Sequence, residues 1–180
     1  MLLKISSEGR PDIIEKESLG SLGKIEKDLE NWMSKRLDLL LDNYQLWTIH
    51  QERPAKREAD IIALDDQGNT FILELKRGTA DHKAVGQLFN YWTMIAKMKY
   101  EDLEQKAREY YQQNQLELRW EHRKEFNLRR PVEEKEFNQK SHLFVVAETS
   151  NENLWDMIKF LRGRFQIPIA FIKFDVYRLG

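Results

Sequence analysis

Apolar residues fall in blocks of two different periods along the chain. Ile25, Leu29, Trp32, Met33, Leu37 and Leu40 follow the spacing of an amphipathic helix about four turns long beginning at Lys24, with Glu26 and Glu30 flanking the stripe one turn apart. Short β-branched or aromatic runs follow at Leu46–His50, Asp60–Leu64 and Thr70–Lys76, separated by turn formers, and predict three strands. Helical spacing returns with Ala84, Val85, Leu88, Phe89, Trp92, Ile95 and Ala96, so a helix is expected over 81–97 behind a Thr79 or Asp81 cap. Residues 100–115 read as a more polar helix, and 116–141 as a dense Arg, Lys and Glu mixture broken by Pro131, whose fold the pattern does not fix. His142–Ala147 predicts a buried strand, 153–165 a helix, and 167–177 a last strand begun by Pro168. That closing order suggests a parallel crossover. Residues 1–23, punctuated by Gly, Ser and Pro11 and poor in apolar residues from Ser6 on, read as a loose lead-in to a single domain over 24–180.

Composition narrows the chemistry. In 180 residues, 29 basic and 30 acidic side chains leave a net charge of −1, so no global field announces a polyanion partner; 41% hydrophobic content argues against wholesale disorder. No apolar run approaches 18 residues, and Met1–Ile5 is too short for a signal-peptide core, so a cytoplasmic protein without a membrane segment is expected. With no cysteine there is no disulfide, thiolate zinc site, cysteine-ligated iron–sulfur cluster or cysteine nucleophile. Carboxylates, lysines, histidines and hydroxyls must carry any reaction.

The second and third strands bring such groups together. Gly68 fits the left-handed position of a three-residue loop, Asp66-Gln67-Gly68, which makes Asp65 face Asn69. Carried down the hairpin, this register sets Asp60 opposite Glu74, with Cβ atoms roughly 4.5–5.5 Å apart, and Lys76 two residues further on the same side. Like charges facing each other destabilise a sheet unless something compensates them, and an oxygen-ligated divalent cation such as Mg²⁺ would do so. Lys76 could orient or help deprotonate an attacking water, or offset charge on a phosphorane. A solvated ion-pair ladder is the competing reading on spacing alone; Ile62 and Ile72 on the same face count against it.

Asp60, then Glu74-Leu75-Lys76 after a hairpin, then Gln87 and Tyr91 on the next helix, resembles the PD-(D/E)XK nuclease superfamily, in particular RecB-like nucleases with their Gln-x-x-x-Tyr motif. The wording Arg57-Glu58-Ala59-Asp60-Ile61 and Glu74-Leu75-Lys76-Arg77-Gly78 is similar to the nuclease domain of NucS-type endonucleases. The resemblance covers Lys24 to Tyr177 and is strongest over 57–97. It implies an α/β fold, a restriction-endonuclease-like mixed central sheet flanked by helices, with DNA as partner. Mg²⁺ or Mn²⁺ would be held by Asp60, Glu74, the Leu75 carbonyl and a first-helix glutamate, best matched by Glu26, with Glu30 one turn on as the fallback. Lys76, Gln87 and Tyr91 complete the implied catalytic set. The implied activity is Mg²⁺-dependent hydrolysis of DNA phosphodiester bonds, as an endonuclease; the alternative is a catalytically inactive module of the same fold that binds nucleic acid or a partner. No proline precedes Asp60, and no counterpart of the NucS N-terminal dimerisation domain precedes residue 24, so specificity is not carried over and a homodimer is left open.

Other residues read as structural or solvated. His50, His82, His122 and His142 lack metal-ligand spacing. Trp47, Trp92, Trp120 and Trp155 read as core, except that Trp120, beside Arg119 and Arg123, could stack on a base. Arg123, Lys124, Arg129 and Arg130 alternate with Glu121, Glu125, Glu133 and Glu134, which favours a solvated charged helix over a DNA clamp.

Overall fold

The computed structural model describes residues 2–5, 7–9, 11–53 and 58–178. A mixed sheet of five strands, β4 (Trp47–Gln51), β5 (Ile61–Leu64), β6 (Thr70–Ala80), β7 (Ser141–Ser150) and β8 (Ile169–Lys173), runs in that spatial order. β4, β5 and β6 form an antiparallel meander, and β7 and β8 join parallel to β6. Because side chains alternate across a strand, the sheet has two apolar faces. Ile62, Leu64, Ile72, Leu143, Val145 and Ile169 face one core. It is covered by α2 (His82–Ile95), α3 (Tyr100–Tyr111), α4 (Leu118–Glu125) and α5 (Glu152–Phe165). Ile61, Ala63, Phe71, Leu73, Leu75 and Val146 face the other, covered by α1 (Glu26–Met33) and the turn that follows it. No helix among the described residues is long and apolar enough to cross a membrane.

The first helix is shorter than its apolar spacing predicts. It ends at Met33, because Arg36 takes φ −141° and ψ 53°, and Leu37 reaches the core from a separate 3-10 turn, Leu37–Leu39. Ile25 and Trp32, counted in the predicted stripe, are exposed. The lead-in is also more ordered than predicted. It holds a hairpin of β1 (Leu2–Ile5) and β2 (Pro11–Ile14), and β3 (Lys16–Glu17) pairs with β9 (Val176–Tyr177) near the other end of the chain. Leu19 is buried beside Leu29 in the α1-side core. Its backbone N–H donates to Glu148 Oε1 at 2.9 Å, while Glu148 Oε2 accepts the Gly78 N–H at 2.7 Å. Gly78, at φ +75°, sits in the register shift that follows Lys76, so this carboxylate ties the lead-in to the strand carrying the lysine.

The single predicted last strand divides into β8 and β9, interrupted at Phe174 and Asp175. The charged stretch resolves into α4, which buries Leu118 and His122, and a loop that packs Phe126 and Phe137 into the core. Trp155 is exposed, contrary to the core reading, because α5 covers the edge strand β8, where the indole meets Phe171 edge to face with the Lys159 ammonium over its ring.

Candidate active site

The turn between β5 and β6 fixes the geometry above it. Asp65 Oδ1 accepts the backbone N–H groups of Gln67 and Asn69 at 3.0 and 2.8 Å, and the Asp65 carbonyl accepts the Gly68 N–H at 3.1 Å. Gly68 lies at φ +80°, and a Cβ there would stand 3.0 Å from the Phe137 ring, so both conformation and space demand glycine. The resulting register pairs Leu64 with Thr70, Ile62 with Ile72 and Ile61 with Leu73, as the turn predicts. One step further puts Asp60 opposite Glu74, where β5 begins.

Both carboxylates are withdrawn from solvent: Asp60 is 5% exposed and Glu74 1%. Asp60 Oδ2 accepts the Leu75 N–H at 2.6 Å, which fixes its rotamer. Burial raises the Asp60 carboxyl well above the usual aspartate range, and the Glu74 charge raises it further. Burial likewise raises Glu74; the Lys76 ammonium, 2.7 Å from Glu74 Oε1, opposes this without overcoming it. Glu74 Oε2 is buried with no hydrogen-bond partner among the described residues. Lys76 also reaches Glu26 Oε1 at 3.2 Å. Burial acts to lower the lysine, but Glu74, Asp60 and Glu26 together hold it above its ordinary value, so it keeps its proton.

The α1 glutamates take different places. Glu26 bonds Lys76 and the Arg77 N–H, the latter at 3.1 Å, rather than turning to Asp60. Glu30, buried on the next turn, brings a carboxylate oxygen into a group with Glu52 and Asp60 whose ligand atoms lie within 4.8 Å of one another. The choice of Glu26 over Glu30 is therefore reversed with respect to Asp60: the rotation of the short helix sends Glu26 to the lysine. Lys27 bridges Glu30 and the Glu52 carbonyl. Glu52 is the residue that sequence reasoning missed. It stands just beyond β4, and its N–H donates to the Asp60 carbonyl at 2.9 Å. Its signal, an acid two residues beyond His50 on an alternating strand, depended on a β4–β5 register that is shifted between Thr48 and His50.

Tyr91 is half-buried. Burial raises its phenol, with the charges of Glu74 and Asp60 adding to the effect. Gln87, one turn earlier on α2, is exposed and makes no side-chain hydrogen bond within the described residues. Arg57 lies outside the described residues. Beside the acidic cluster a second polar group surrounds Glu58: Arg53 bonds it at 2.9 and 3.2 Å, Lys106 stands 3.6 Å away, and the buried His50 Nε2 3.6 Å away.

The acidic cluster fits an oxygen-ligated cation. Its side-chain donors are all carboxylates, and Glu74 beside them has a buried oxygen with no partner among the described residues. Oxygens spaced within 4.8 Å suit a shell in which opposite ligands of a Mg²⁺-sized ion lie roughly 4 Å apart.

No protein-family model and no curated protein sequence matches the chain. Solved structures to which it is similar are a repair endonuclease from Pyrococcus abyssi, at 18% identity and TM-score 0.45 over 84% of this chain and 47% of that one, and EndoMS. The latter appears as a complex with double-stranded DNA, at 15% identity and TM-score 0.42 over 82% of this chain and 44% of that one, and in apo form, at 14% identity and TM-score 0.43 over 84% and 45%. The chain spans less than half the length of each.

Proposed function

We propose that the chain is a divalent-cation-dependent nuclease that hydrolyses DNA phosphodiester bonds, acting as an endonuclease, at the acidic cluster where β5 begins. The observation that carries this reading is a pair of buried, facing carboxylates, Asp60 and Glu74, one with an unpartnered oxygen, beside a lysine held cationic. DNA as the substrate is supported by the resemblance that joins these residues to Gln87 and Tyr91.

Asp60 and Glu74, with Glu30 and Glu52 beside them and the Leu75 carbonyl on the same strand, would hold Mg²⁺ or Mn²⁺. When bound, such an ion supplies a Lewis acid toward a phosphoryl oxygen and eases deprotonation of the attacking water. The chain's own groups do the rest. Lys76, protonated between Glu74 and Glu26, is not a base; its N–H groups orient the water and offset the charge that grows on the phosphorane as the new P–O bond forms and the leaving oxygen departs. The Leu75 N–H holds the Asp60 carboxylate in one orientation. Tyr91, with its phenol kept neutral, can donate to a substrate oxygen.

The test is a panel of single-stranded, duplex, mismatched and branched DNA incubated with Mg²⁺, Mn²⁺ or EDTA. Cleavage with either cation and none in EDTA is expected. A wild-type protein that neither binds the cations nor cuts any substrate overturns the reading in favour of the idle fold.

A further inference from the structure

The charged stretch after α4 builds a feature remote from the acidic cluster. Asn127, at φ +49°, closes α4, and the chain bends at Arg129 and Arg130 before Pro131. Leu128 and Val132 pack on the core between them. The strand side is equally fixed: the Asn138 N–H donates to the Gly68 carbonyl at 2.9 Å, and its amide bonds the Ile95 and Met98 carbonyls at 2.7 and 3.1 Å. Between this segment and the β5–β6 turn opens a cavity of about 750 Å³, lined by Arg129, Arg130, Lys135 and Lys140 against only Asp66 and Glu136. With Glu133, which pairs with Lys135, that is a local excess of one positive charge in a chain whose net charge is −1.

The cations are largely unspent. Lys135 pairs with Glu133 at 2.8 Å, but the side chains of Arg129, Arg130 and Lys140 make no hydrogen bond or ion pair within the described residues. Guanidinium groups on a fixed rim with apolar neighbours are suited to phosphate, whose oxygens they meet with paired N–H donors. Leu128 and Val132 beside the guanidinium groups offer a sugar or base an apolar surface that a lone ion would not use. Asp66 lies beyond the far end of β5 from Asp60, roughly 20 Å away at 3.4 Å per residue, so the cavity is separate from the acidic cluster.

We propose that the cavity beneath the β5–β6 turn is a second site, binding the phosphate of a nucleotide-sized ligand: a residue of a nucleic-acid strand or a free nucleotide. The assignment does not rest on cleavage at Asp60 and Glu74. It is tested in EDTA with the full chain, by anisotropy with a fluorescent 20-base-pair DNA duplex and by calorimetry with deoxyadenosine monophosphate. The variants are Arg129→Glu with Arg130→Glu and, as a control of equal charge change on α5, Lys159→Glu with Arg164→Glu. All four residues are exposed. Melting temperature and divalent-cation affinity confirm that the variants fold.

A strand as the source predicts duplex binding at least 10-fold weaker in the Arg129 and Arg130 variant, with a salt slope smaller by about two, and little change in the control. A free nucleotide as the source predicts loss of the monophosphate titration with duplex binding intact. Neither probe affected, or the control weakened as much, overturns the site.

Discussion

Glu58 and Asp60 stand two positions apart in the chain, yet their carboxylates live in opposite worlds. Partial burial raises Glu58, but the Arg53 hydrogen bond and the charges of His50 and Lys106 outweigh it and bring the group down to about 2. Asp60 has buried acids and one shared lysine for company, and burial leaves it raised. The first carboxylate is satisfied by the protein; the second is satisfied only in part. Charge that a fold has already compensated holds structure, whereas buried charge left uncompensated at one end of a sheet invites a cation or costs stability.

The largest effect that would break this contrast is at Asp60. Asp60→Asn should lower cleavage on the order of 10³-fold and abolish the rise in melting temperature that Mg²⁺ gives wild type, while raising the melting temperature of the metal-free protein. Single-turnover rates and scanning calorimetry with and without Mg²⁺ read all three; a metal-free variant less stable than wild type would mean that Asp60 is compensated after all. Next comes Lys76→Ala, expected to cost on the order of 10²-fold in rate with cation affinity kept or tightened, as titration calorimetry against a non-cleavable duplex would record.

The two α1 glutamates should then separate. Glu30→Gln weakens cation affinity on the order of 10-fold, whereas Glu26→Gln leaves affinity alone and slows cleavage through Lys76. Equal effects on affinity would erase the distinction drawn from their positions.

Glu58→Gln gives the smallest change, a stability loss of about 1.5 kcal/mol with unaltered cation binding. Its pH signature sharpens the comparison. Glu58 is lowered on folding, so its contribution is complete above about pH 4.5 and is lost as pH falls toward about 2. His50, lowered to about 4 chiefly by burial, adds a loss on acidification below about pH 6.5. Asp60 and Glu74 are raised, so the metal-free fold binds more protons than the unfolded chain, and their share of stability falls as pH climbs above the ordinary carboxylate range. Denaturant melts in EDTA across pH should show an acid limb that Glu58→Gln flattens and an alkaline decline that Asp60→Asn flattens.

Local signals were the legible ones. One glycine set the register of β5 against β6, because a turn of few residues leaves the strands no freedom to slip, and α2 was plain from its unbroken apolar period. What the sequence hid was settled by distant contacts or small rotations. Glu26 and Glu30 share a helix side, so only the docking of α1 decides which meets Asp60. Glu52 depended on a bulge in β4. The lead-in looked loose because β3 finds its partner in β9, across nearly the whole chain. Asp60 and Glu74 facing one another was thus readable, and the company they keep was not.

The two oxygens of Glu148 each hold an amide, one from the lead-in and one from the bulge just past Lys76. Those amides, at Leu19 and Gly78, should therefore trade their hydrogens with heavy water as a pair, in a single opening event, although no sheet ladder joins them. Replacing the carboxylate by an amide, Glu148→Gln, leaves one acceptor for two donors, and one of the pair should then exchange well ahead of the other. A fragment starting at Lys24 would lose the Leu19 amide altogether, uncover the apolar surface beside Leu29, and let the backbone after Lys76 breathe on the timescale of the frayed strand rather than of the sheet.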